Sequence, residues 1–105
     1  MAREQFQTLT EPMYYILLSL TEERRGVEIM ERVLEISHDR IRVGPGTLYA
    51  MLPKLEKAGF ITETHCEGRQ RWYQITEKGL LTLKEEYQRL AIMLEDGKKM
   101  LFGSF

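Results

Sequence analysis

The side chains in this chain best suited to chemistry are those of a reader of phosphates and base edges. Thr47, Tyr49, Ala50 and Lys54 fall off the apolar side of one helix-forming stretch, and Arg69, Gln70 and Arg71 lie in a short polar turn further on. A hydroxyl and free backbone amides at the start of a helix can grip a phosphate, and Thr47 is open between that role and ordinary capping. Tyr49 offers a flat ring and a hydroxyl suited to a sugar-phosphate contact, with packing on a neighbouring helix as the alternative. Lys54 continues the same outer side toward phosphates. Arg69 and Arg71 flank a hairpin tip, where arginine can enter a narrow minor groove, while Gln70 either assists or only turns the chain.

Catalytic chemistry finds less support. No nucleophile stands beside a paired base, and no Gly-rich phosphate loop follows a strand. His38, His65 and the single cysteine, Cys66, do not make a metal set, so neither an enzyme nor a cofactor is expected. Cys66 lies beside His65, which could favour a thiolate, but a half-buried structural strand position is the expectation.

The elements that must position these residues follow from periodicity. Gly44, Pro45 and Gly46 break what precedes them. Leu48, Met51, Leu52 and Leu55 then recur at helical spacing as one apolar stripe. Gly59 stops that helix, and Phe60-Ile61 start a strand. Pro53 falls inside the helix, where its missing N–H predicts a bend or a separate first half. Upstream, residues 1–9 are expected as a loose arm or a short helix extension. Thr10 is expected to cap a first helix to about Leu20, with Met13, Ile16, Leu17 and Leu20 on one side. Tyr14, Tyr15 and Leu18 make its other side apolar too, which predicts a second cover.

Thr21 to Arg25 reads as a charged turn. A second helix is expected from Val27 to Ser37, with Ile29, Met30, Val33, Leu34 and Ile36 inward, followed by an irregular link. Thr62–Glu67 and Arg71–Ile75 read as two strands joined by Gly68-Arg69-Gln70, with Trp72 and Tyr73 on opposite faces. Thr76 caps a last helix to about Asp96 or beyond, weakened at Gly97. Along it Leu80, Leu83, Tyr87, Leu90 and Leu94 form a seam of about two heptads, too short to hold two free helices alone. This predicts a mainly α fold with a small β-hairpin: a winged helix-turn-helix plus a C-terminal dimerisation helix.

Two stretches also carry a resemblance. Pro45-Gly46-Thr47-Leu48-Tyr49, followed by Leu52-x-x-Leu55-Glu56-x-x-Gly59, resembles the PadR family of bacterial transcriptional regulators. Arg71-Trp72-Tyr73-Gln74-Ile75-Thr76-Glu77-Lys78-Gly79 looks like that family's second wing strand and the start of the helix after it. The resemblance runs from about Thr10 to the end of the last helix. It implies a dimeric repressor of double-stranded DNA, acting at an inverted repeat and released by a small apolar or aromatic effector.

Composition bounds the rest. A chain of 105 residues, 43% apolar and 30% charged, is one folded unit whose modest core gains from a partner subunit. Within it, residues 1–76 are expected to form the DNA-binding part and residues 77–105 the dimerisation helix and tail. Tyr14, Leu18, Leu80, Leu83, Tyr87, Leu90 and Leu94 are the expected dimer interface. Tyr15, Ile92 and Met93 are the expected walls of an effector pocket, which six methionines in the chain would make adaptable. No apolar run approaches the roughly 20 residues that span a membrane, and one cysteine fits a reducing cytoplasm. The net charge of −1 is unusual for a DNA binder and leaves a second class open, a winged-helix module that binds protein. Against it stand Arg24, Arg25, Arg40, Arg42, Lys54, Lys57, Arg69 and Arg71, which gather basic charge in mid-chain.

Overall fold

The described residues form seven elements, most of them bounded by local stop and start signals. A computed structural model describes residues 8–103 and orders them as α1 (Glu11–Ser19), β1 (Arg24–Arg25), α2 (Gly26–Ile36), α3 (Pro45–Lys57), β2 (Ile61–Glu67), β3 (Gln70–Ile75) and α4 (Glu77–Phe102). Thr10 caps α1, its hydroxyl accepting the Met13 N–H at 3.3 Å, and Pro12 occupies the first turn, where no donor is lost. The expected inner stripe of Met13, Ile16, Leu17 and Leu20 is buried. Most of the expected arm, residues 1–7, lies outside the described residues. Leu9 is no loose arm: it is buried, and its N–H donates to the Glu86 carboxylate on α4 at 3.1 Å.

The charged turn is corrected at its end. Arg24 and Arg25 form a short strand antiparallel to β3, with Arg24 opposite Tyr73 and Arg25 opposite Trp72. Two residues carry no readable alternation, so this strand is set by its tertiary partner. The sheet order is β1-β3-β2, and a register shift between Glu63 and His65 places a bulge at Thr64. The strand expected to start at Phe60-Ile61 begins at Ile61, and the second hairpin strand gains Gln70, so Gln70 lies in a strand and not in the tip. Tyr73 enters the core while Trp72 stays half-exposed against His65, with 4.8 Å between ring centroids.

The interior joins α1, α2, α3 and the sheet through Ile16, Leu17, Leu20, Ile29, Val33, Leu48, Leu52, Leu55, Phe60 and Ile61. Each such side chain, removed from water, contributes about 1.5–3 kcal/mol before entropy is counted. On α2, Ile29 and Val33 are fully inward, and Met30, Leu34 and Ile36 only partly so. Pro53 does not divide α3, which is assigned as one helix from Pro45 to Lys57. The ring is exposed, and the missing N–H costs a single intrahelical bond while Leu52 and Leu55 on either side are buried. After Ala58, Gly59 adopts a φ of 82°, and Phe60 N–H reaches back to the Leu55 carbonyl at 3.0 Å, closing a Schellman motif.

The exit of α3 seats α4. Thr76 N–H donates to the Phe60 carbonyl at 2.9 Å, and the Thr76 hydroxyl donates to the Gly59 carbonyl at 2.5 Å while accepting Gly79 N–H at 3.0 Å. The helix presses so closely here that a Cβ on Gly79 would lie 2.1 Å from the Phe60 carbonyl oxygen. Its inward side is Gly79, Thr82, Leu83 and Glu86. The heptad reading is therefore corrected at Leu83, which is 5% exposed and belongs to the chain's own core. Leu80 is half-buried, whereas Tyr87 and Leu94 are 61% and 76% exposed. A helix followed round its own body rotates at 3.6 residues per turn, so a seam counted at 3.5 mixes both faces. The helix continues through Gly97 to Phe102 and leaves Ile92, Met93, Leu94, Met100, Leu101 and Phe102 exposed.

Candidate nucleic-acid interface

The start of α3 is built to leave amides and side chains free. Gly44 is the N-cap and Pro45 the first helical residue, which puts Thr47 in the opening turn. With Leu48, Leu52 and Leu55 fixed inward, Thr47, Tyr49, Ala50 and Lys54 are all exposed. Beside them opens a groove of about 400 Å³, lined by Arg25, Gly26, Val27, Tyr49, Leu52, Pro53, Arg69, Gln70, Arg71 and Tyr73. Three elements thus meet there: the start of α2, the outer side of α3, and the wing.

The structure brings Tyr49, Arg69, Gln70 and Arg71 to one place. Thr47, Ala50 and Lys54 remain exposed on α3 and do not line the groove. Arg71 is held across the wing by Glu63 at 3.3 Å. Tyr73 forms part of the floor. Burial pushes its phenol above the usual value, with the Glu56 carboxylate acting in the same sense, so it stays neutral at ordinary pH. Tyr49 is at once exposed and packed. Its side chain is 55% exposed, yet its hydroxyl stands against the backbone of Gly26 at the start of α2.

The basic set read from the sequence does not converge as a whole. Arg24 turns to the Ser19 carbonyl at 2.7 Å and to Glu22 at 3.0 Å. Arg40 turns to the Tyr15 hydroxyl at 2.7 Å and Glu11 at 3.4 Å. Arg25 joins the groove and was not singled out as a contact residue. It comes there because β1 pairs it opposite Trp72, at the edge of the groove that Arg71 also lines.

A second hollow lies between α1 and α4. It measures about 300 Å³ and is lined by Leu9, Glu11, Tyr14, Tyr15, Glu86, Arg89 and Leu90. Tyr15 lines this hollow, whereas Ile92 and Met93 are exposed further along α4 and do not wall it. Tyr14 and Leu18 are half-buried against their own core. Burial, then the neighbouring Tyr15, raises the Tyr14 phenol pKa. The missed residue is Glu86, 1% exposed, whose carboxylate accepts the Arg89 guanidinium at 2.9 and 2.7 Å. That bond raises the arginine's pKa further. Cys66 is exposed on the wing and not half-buried as expected, its thiol 3.7 Å from the Gly68 carbonyl. Among the described residues no cluster of His, Cys, Asp or Glu is arranged to hold a metal ion.

Three helices, a wing and an exposed third helix define a winged helix-turn-helix. The chain belongs to the transcriptional regulator PadR-like family, whose pattern matches residues 16–85. It is similar in structure to a transcriptional regulator from Clostridium thermocellum, with a TM-score of 0.71, 20% identity, and coverage of 90% of this chain and 99% of that one. A PadR family regulator from Eggerthella lenta is likewise similar, at TM-score 0.71 and 22% identity over 84% and 79% of the two chains. So is RosR of H. salinarum, at 0.64 and 22% over 90% and 98%. No curated protein sequence matches the chain. Among the described residues no helix is long and apolar enough to cross a membrane.

Proposed function

We propose that this PadR-like regulator is a homodimeric repressor that binds double-stranded DNA at an inverted repeat. The observation that carries the reading is the groove in which Tyr49, Arg25, Arg69, Gln70 and Arg71 converge beside an exposed α3. In this reading α3 enters the major groove with Thr47, Tyr49, Ala50 and Lys54 facing DNA, and the wing lays Arg69, Gln70 and Arg71 along the backbone or minor groove. Residues 1–76 serve as the DNA-binding part. Residues 77–105 supply the dimer helix, where Tyr87, Leu90 and Leu94 with Tyr14, Leu18 and Leu80 meet the second copy. A small aromatic effector occupies the hollow beside Tyr14 and Tyr15 and changes the spacing of the two α3 helices. Such a protein works in the cytoplasm.

The test is duplex binding across a salt series, with native protein and Tyr49→Ala, Arg69→Ala. Phosphate contacts release counterions, so native affinity falls steeply with salt and the variant binds more weakly with a shallower slope. Salt-insensitive or absent duplex binding would instead favour the protein-binding module that the net charge of −1 left open.

A further inference from the structure

We propose that Gly26 is a positioning residue for Tyr49, and that its missing side chain is what seats the Tyr49 hydroxyl at the edge of the groove. The inference rests on the reading of Tyr49 as a DNA contact. Gly26 is buried at the first position of α2. A Cβ placed there would lie 2.2 Å from the Tyr49 hydroxyl oxygen, 2.9 Å from Cζ and 3.2 Å from Cε1. Those three atoms span the outer end of the ring, so the three nearest contacts are all with one side chain.

The backbone at the position does not ask for glycine. Its backbone is not among the glycines with positive φ, and it begins a regular helix. Alanine is the better helix former, so on backbone grounds the exchange is favourable. The glycine therefore serves Tyr49 rather than α2. It gives the ring a fixed rest against a rigid element, instead of a free sweep about its side-chain torsions. No group among the described residues hydrogen-bonds the Tyr49 hydroxyl, so the seated oxygen is left for an outside acceptor such as a phosphate. A contact residue held in its bound pose loses less freedom on binding. Arg25, Arg69 and Arg71 line the same groove as Tyr49, so a phosphate at the seated hydroxyl would meet basic side chains in that groove as well.

The experiment is a double-mutant cycle of Gly26→Ala and Tyr49→Ala, read by anisotropy of a fluorescein-labelled mixed-sequence duplex at low salt. A backbone contact does not depend on sequence, so any duplex serves as probe. Tyr49→Ala is expected to weaken binding roughly tenfold, the loss typical of one hydrogen bond with its packing. Gly26→Ala alone is expected to approach the same loss, and to add little in the Tyr49→Ala background. In the free protein, nuclear Overhauser contact between the Tyr49 ring and the Gly26 α-protons is expected, and its displacement in Gly26→Ala. The double variant has no clash and keeps the native helix signal, which guards against a folding defect.

Native affinity in Gly26→Ala beside a weakened Tyr49→Ala would overturn the assignment while leaving the DNA role of Tyr49 intact. An undiminished loss from Gly26→Ala in both backgrounds would also overturn it, since Gly26 would then act without Tyr49. Native affinity in Tyr49→Ala itself would overturn the contact reading and the assignment together.

Discussion

The close approach of α4 to the exit of α3 can be tested by one methyl group. Gly79→Ala would place a Cβ 2.1 Å from the Phe60 carbonyl oxygen, and 2.8 Å from both the Phe60 carbonyl carbon and Ile75 Cγ1. Two of those atoms are backbone, so no side chain can swing aside, and the first turn of α4 must lift by about 1 Å to restore contact distances. Lifting lengthens the 2.9 Å bond from Thr76 N–H to the same carbonyl. Overpacking costs about 1–3 kcal/mol and a lost hydrogen bond about 1 kcal/mol. Alanine's helix preference returns at most about 1 kcal/mol. The net is a destabilisation of about 2 kcal/mol, a fall of roughly 10 °C in Tm for a domain of this size. Gly46→Ala is the internal control. That position is also helical, yet a Cβ there meets nothing within 4 Å, so stability should rise by about 0.5 kcal/mol. Urea and thermal unfolding at fixed protomer concentration without DNA measure both. A Gly79→Ala midpoint equal to or above native would refute the packing argument.

Leucines of the supposed seam should separate by role. Leu83→Ala should cost about 2–5 kcal/mol in urea unfolding, as a core truncation does, whereas Leu94→Ala should leave the subunit folded and shift a dimer toward monomer in sedimentation. Equal effects of the two on unfolding would contradict the division of α4 into an inward and an uncovered side. The phenols of half-buried Tyr14 and buried Tyr73 give a pH dependence. Because the folded pKa values of Tyr14 and Tyr73 are raised above 10.0, their contribution is fully present below pH 10 and is lost as pH rises through the raised values. Denaturation compared at pH 9 and pH 11 should therefore show a larger drop for native protein than for Tyr14→Phe, Tyr73→Phe, and identical drops would refute it.

What could be read from the sequence was what is decided locally. The exit of α3 is an example: Gly59 and Phe60 announce a Schellman stop because its bonds close within six residues. The caps Thr10 and Thr76, the inner stripes of α1 and α3 and the exposure of Tyr49 follow from the same short range. What was not legible is decided across the fold. Arg24 and Arg25 become a strand because β3 has a free edge, and Arg40 leaves the basic set because α1 presents Glu11 and Tyr15 to it. Leu83 joins the core because α4 begins by lying down on Phe60, which fixes its rotation. Glu86 reads as a surface charge by type, yet it is buried because Leu9 and Arg89 are brought to it. Gly26 is the same kind of case, since its constraint comes from a ring on another helix.

The proposed function has paired α3 helices reading a duplex with two-fold symmetry. Selection of bound duplexes from a random pool by the native protein tests it most directly, with Tyr49→Ala, Arg69→Ala as the comparison. The expected result is an enriched inverted repeat recovered by the native chain and lost in the variant. Recovery of no motif at low salt, or of the same motif by both proteins, would contradict it.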